Sequence, residues 1–115
     1  METQCQNIYA NVPKQLPEEL VGQLIANEKF ILERIVSKGH ATPPGQWYDQ
    51  AWDEWVFLLQ GQAKLLFAEN AKTILMKPGD YLIIPAHVKH RVEWTPPDID
   101  TFWLTLHFNT EKGLN

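Results

Sequence analysis

The chain has 115 residues, with ten Lys and Arg against fourteen Asp and Glu, for a formal net charge of −4. That length suits one domain with a single core, and the acidic balance gives nucleic acid no electrostatic footprint. With one cysteine, Cys5, an internal disulfide and a Cys-rich zinc site are both excluded.

No run approaches the ~20 apolar residues needed to span a bilayer, so no membrane partner is expected. Residues 1–6 lack the positive start and apolar core of a signal peptide, and a cytoplasmic location is expected. Five Trp, five Phe and three Tyr, punctuated by Pro and Gly, favour a turn-rich β-protein over a helix bundle.

Taken in chain order, residues 1–15 are polar, with Ile8, Tyr9 and Val12 able to pack as an edge strand. Residues 17–27 predict a short helix: Pro17 suits a first turn, Glu18 and Glu19 its positive end, and Leu20, Val21, Leu24 and Ile25 form one stripe. Residues 29–37 predict a strand, with Phe30, Leu32 and Val36 on one face, and 39–45 a loop around Pro43 and Pro44. A short strand over 47–50 and a longer one over 54–60 flank an acidic turn near Ala51, Trp52 and Asp53. Strands over 63–67 and 73–76 pair around a turn at 68–71. A buried strand over 81–84, a loop over 85–89 and strands over 90–94 and 102–108 complete the pattern. Short strands at this spacing predict an all-β sandwich or closed barrel. The expected division is an N-terminal tail and helix over 1–28, a barrel over 29–109 and a C-terminal tail over 110–115.

Two segments carry the polar groups of interest. In the first, Trp47 and Asp49 precede Glu54, and Gly61 follows seven residues after it. In the second, Gly79 is followed by Pro85, His87 and His90. These segments resemble the two signature motifs of the cupin family. The first family motif is a His-x-His pair, a Glu after a short gap, and a Gly seven places beyond the Glu. Glu54 and Gly61 match its second half, while Trp47 and Asp49 take the two His positions. The second motif is matched by Gly79, Pro85 and His90, with His87 standing where the family has Gly and Trp94 where it has Asn. The resemblance spans roughly residues 30–108.

It implies the double-stranded β-helix of cupins, a jelly-roll barrel, here with the short N-terminal helix. It also implies a divalent metal at the barrel mouth on Asp49, Glu54 and His90, with His87 as a fourth ligand or an orienting group. Two carboxylates and an imidazole suit Zn, Mn, Fe or Ni. Isomerase, dioxygenase and decarboxylase chemistry are all within the family, and fold does not choose among them. The bland readings stand beside these. Glu54 can be the last solvated residue before a buried strand, Asp49 a turn acid bonding the backbone, and His90 a satisfied polar residue. His87 and His40 suit structural roles.

Strand alternation groups the remaining candidates. Glu54 shares a face with Val56, Leu58 and Gln60; His90 with Val92 and Trp94; His107 with Trp103 and Thr105. The expected substrate pocket is therefore Trp47, Gln60, Trp94, Trp103, Thr105 and His107. His90, His107 and Glu54 are the candidates for catalysis. No dinucleotide or phosphate-binding fingerprint appears, so no organic cofactor is expected. Three functions follow: a metal-dependent enzyme on a small polar, sugar- or acid-like molecule; a non-catalytic metal- or ligand-binding module; and a metal-free acid–base enzyme. Trp55, Phe57 and Leu59 form an apolar outward face, for which a homodimer is the expected cover.

Overall fold

Alternating apolar and polar side chains, cut by Gly, Pro and Asn, give antiparallel strands and no helix among the described residues of this computed structural model, which are residues 3–109. The strands are β1 (Leu20–Ala26), β2 (Phe30–Ser37), β3 (Asp53–Gln60), β4 (Ala63–Phe67), β5 (Lys72–Met76), β6 (Tyr81–Ile84), β7 (His90–Trp94) and β8 (Thr101–Phe108). One sheet runs β1-β2-β8-β3-β6 and the other β5-β4-β7. Val56, Leu58, Ile84 and Trp103 from the first sheet pack with Ala63, Leu65 and Met76 from the second to form the core. No helix of the described residues is long and apolar enough to cross a membrane.

The helix expected over 17–27 is instead the edge strand β1. Gly22 in its middle costs a helix about 1 kcal/mol, and Val21 and Ile25 are β-branched. The deciding feature is the turn that follows. Asn27 Oδ1 accepts from the amides of Lys29 at 2.8 Å and Phe30 at 3.0 Å, closing a local turn of the kind Asn favours. β1 then folds back on β2 from Ala26↔Ile31 to Leu20↔Val36. The strand expected over 47–50 reduces to a single bridge, Tyr48↔His90.

Residues 3–19 form no strand, but the segment around Tyr9 is tied to the outer face of the large sheet. Arg34 donates to the carbonyls of Ile8 at 3.0 Å and Ala10 at 2.6 Å, and the Tyr9 ring meets Phe102 edge-on at 4.9 Å. After β3 the chain turns at Gly61, whose φ is +88°. A Cβ there would lie 2.7 Å from Thr101 Cα, so the position excludes any side chain for two reasons, backbone hand and space.

Candidate functional site

The site is set by one pair of backbone hydrogen bonds. Tyr48 N donates to His90 O at 2.8 Å and His90 N to Tyr48 O at 3.1 Å. This bridge fixes the phase of the segment before β3, and Tyr48 and Gln50 are the residues that line the cavity between the sheets. Trp47 and Asp49, one residue out of phase, do not line it. Trp47 is 40% exposed with the Arg91 guanidinium 6.0 Å from its ring. Asp49 Oδ1 meets His87 Nδ1 at 2.9 Å, and both side chains are exposed.

The structure therefore divides the four expected metal ligands into two pairs. Asp49 and His87 sit outside; Glu54 and His90 sit inside. Among the described residues no group of three His, Cys, Asp or Glu side chains is arranged to hold a metal ion. With Tyr48 and Gln50 occupying the inward positions ahead of Glu54, the expected set of Asp49, Glu54, His87 and His90 is not assembled at one point.

The expected pocket residues divide as well. Trp103, Thr105 and His107 line the cavity on consecutive inward positions of β8. Gln60 and Trp94 lie outside it, for the same reason in each case. A register shift between Leu58 and Gln60 breaks the alternation of β3, and one between Lys64 and Leu65 skips Glu93 opposite β4 and moves Trp94 off the face of His90. Bulges of this kind turn the following side chain away.

The cavity holds about 230 Å³, below the ~300–1,000 Å³ of typical ligand sites, which limits an occupant to a small molecule. Val56, Leu65, Ile84 and Trp103 wall it on the core side. Glu54 is 8% exposed. Its Oε1 accepts no hydrogen bond, with His90 Nε2 at 3.5 Å and, on the other carboxylate oxygen, His107 Nε2 at 3.9 Å. Glu33 Oε1 lies 3.6 Å from the same His107 nitrogen. Thr105 Oγ1 is also buried without a hydrogen-bond partner.

His90 is oriented from behind. Its Nδ1 lies 2.9 Å from Val88 O, and a carbonyl can only accept, so Nδ1 carries the proton and Nε2 faces Glu54. Burial works against the imidazolium, but the Glu54 carboxylate and the Val88 carbonyl together outweigh it, and the pKa lies above the ordinary 6.5. Tyr48 stacks on the His90 ring at 5.6 Å. Burial, and then the negative charges of Glu19 and Glu54, hold its phenol above 10.0.

Glu33, Glu19 and Gln50 line the cavity without having been expected there from the sequence. Glu33 had a legible signal, since Ile31 and Ile35 flank it at a spacing of two. Glu19 reaches the site through contacts remote in sequence: Trp103 Nε1 donates to Ser37 Oγ at 3.2 Å, and Ser37 donates to Glu19 Oε2 at 2.6 Å.

The family model for the cupin domain matches residues 34–107. A crystal structure of a Ralstonia eutropha protein, provisionally named a mannose-6-phosphate isomerase, is 39% identical, with 94% of this chain and 100% of that one covered and a TM-score of 0.89. A cupin superfamily protein of Desulfitobacterium hafniense superposes with a TM-score of 0.70 at 18% identity, covering 85% of this chain and 84% of that one. HppE in its Co(II) form with Tris buffer does so at 0.67 and 17% identity, over 84% of this chain and 57% of that one. At these identities the last two show the fold alone. No curated protein matches the chain. The matched motif residues, the two facing antiparallel sheets and the Ralstonia relative agree, and the chain belongs to the cupin family as a small single-domain member.

Proposed function

We propose that this cupin binds a small polar molecule between its sheets and moves a proton on it, with Glu54 as base and His90 Nε2 as the group that returns the proton. The carrying observation is the buried Glu54 carboxylate, unbonded at Oε1 and approached on its two oxygens by the imidazoles of His90 and His107. A buried acceptor with no hydrogen bond and only a 3.5 Å contact to an imidazole is incompletely satisfied, and a substrate O–H brought to Oε1 would relieve that cost. His107, between Glu33 and Glu54, steadies the charge that Glu54 loses and regains. Proton transfer between neighbouring carbons is the step an aldose–ketose isomerase needs, which accords with the name of the Ralstonia relative. General acid–base catalysis of this kind contributes about 10²–10⁴-fold.

The test is deuterium incorporation from D2O at the carbon beside the carbonyl of small unphosphorylated aldoses, followed by NMR on chelator-treated protein. Exchange that survives chelation and falls at least a hundredfold in Glu54→Gln is the expected result. Stoichiometric metal in the untreated protein, lost in Glu54→Ala or His90→Ala together with activity, would overturn it in favour of a metal centre.

A further inference from the structure

Among the described residues, the titratable groups facing the cavity besides the Tyr48 phenol are carboxylates and imidazoles, Glu19, Glu33 and Glu54 against His90 and His107, with no Lys or Arg. Three carboxyl side chains outnumber two imidazoles, so the lining is acidic in composition. Two buried oxygens lack a hydrogen bond: Glu54 Oε1, which has only the 3.5 Å contact with His90 Nε2 and can take a donor, and Thr105 Oγ1, which can accept or donate. A carboxylate can only accept when ionised. An anion brought here would face like charge with little water between, and the described residues offer no helix N-terminus to offset it. The other wall is apolar, formed by Val56, Ile84 and Trp103.

We infer that the ligand is a small cation, a primary ammonium on a short apolar body, with its N–H groups on Glu54, Glu33 and Thr105 and its carbons against Trp103. This rests on the reading of the cavity as the ligand site and not on the aldose form of the proton-transfer step, since an alkylammonium has no C–H beside a carbonyl to exchange. An ammonium carries three donors on a compact charge, which matches two carboxylates and a hydroxyl. Phosphorylated sugars are excluded on the same ground, so the phosphate in the name of the Ralstonia relative does not carry over to this cavity.

The test uses three size-matched probes at fixed ionic strength: isobutylammonium, isobutanol and isobutyrate. Binding is read from the Trp103 indole and Thr105 amide resonances in two-dimensional NMR spectra, which also report whether each variant is folded. Isobutylammonium is expected to saturate at least tenfold below isobutanol, with isobutyrate silent. Glu33→Gln should weaken the ammonium about tenfold more than it weakens isobutanol. Isobutyrate or isobutanol binding as tightly as the ammonium would overturn the ligand class while the cavity remained a ligand site. Silence of these resonances with all three probes would overturn the ammonium reading, while deuterium exchange on the aldoses tests the proton-transfer reading separately.

Discussion

Tyr48 and His90 exchange both of their backbone hydrogen bonds and stack their rings 5.6 Å apart, so the first motif is clamped to the second one residue away from the phase its sequence suggests. The clamp turns Tyr48 and Gln50 inward and leaves Trp47 and Asp49 outside. Replacing Tyr48 with Ala should free the His90 ring and weaken isobutylammonium binding, whereas Trp47→Ala should leave binding within twofold. Equal losses in the two variants would place Trp47 at the site after all.

The protonation of His90 links the site to stability. An unfolded imidazole titrates near 6.5, and in the fold Glu54 and Val88 raise that value against the opposing effect of burial. A raised pKa means that the contribution is fully present below about pH 6.5 and is lost as pH rises through the native value. Urea midpoints measured from pH 5.5 to 9 should therefore fall across the alkaline half of the range on this account, and Glu54→Gln should flatten that fall. NMR titration of the His90 ring should give a midpoint above 6.5 in the wild type and a lower one in Glu54→Gln.

Gly61 is fixed by both hand and space. Its φ of +88° and the approach of Thr101 leave no room for a methyl group. Gly61→Ala should cost ~2–5 kcal/mol, the sum of a left-handed backbone penalty and overpacking. A shift in the urea midpoint without a change in slope would give this directly.

His87 occupies the left-handed region at φ +65°, where the family motif has Gly. His tolerates that region better than most residues, and its exposed contact with Asp49 is a weak tie. His87→Gly should leave stability within ~1 kcal/mol, relief of the backbone offsetting greater freedom in the unfolded chain. His87→Val, β-branched, should cost ~1–2 kcal/mol more.

The proposed homodimer would cover the outer face of the large sheet. There Trp55 stacks on Phe57 at 5.4 Å and lies 6.0 Å from Tyr81, beside Tyr81 and Ile83, 66% and 59% exposed. Sedimentation velocity should give a dimer for the wild type and a monomer for the double variant Tyr81→Glu, Ile83→Glu. A wild-type monomer at tens of micromolar would rule the dimer out.

Much of this arrangement is legible in the chain, because alternation in an uninterrupted strand fixes which side chains share a face. Val56 and Leu58 follow Glu54 inward, and Trp103, Thr105 and His107 line one wall as their spacing of two requires. Alternation fails wherever the backbone slips by one residue. It does so at the bulges before Gln60 and Trp94 and in the bridge at Tyr48, whose phase is set by a partner 42 residues away. β1 was hidden differently: its apolar spacing fits a helix as well as a strand, and only the turn at Asn27 and the open edge of β2 decide between them.

That edge position of β1 bears on how far the molecule can be trimmed. A version starting at residue 29, the expected border of the barrel, would lose Glu19 and Val21 from the cavity wall and the carboxylate that ends the path from Trp103 through Ser37. It would also leave the amides and carbonyls of β2 unpaired along one whole side, an open template for association between chains. The smallest piece that keeps both the full cavity wall and a protected border starts before Glu19, so the segment that looks most expendable in the sequence is the one that completes the vessel's side.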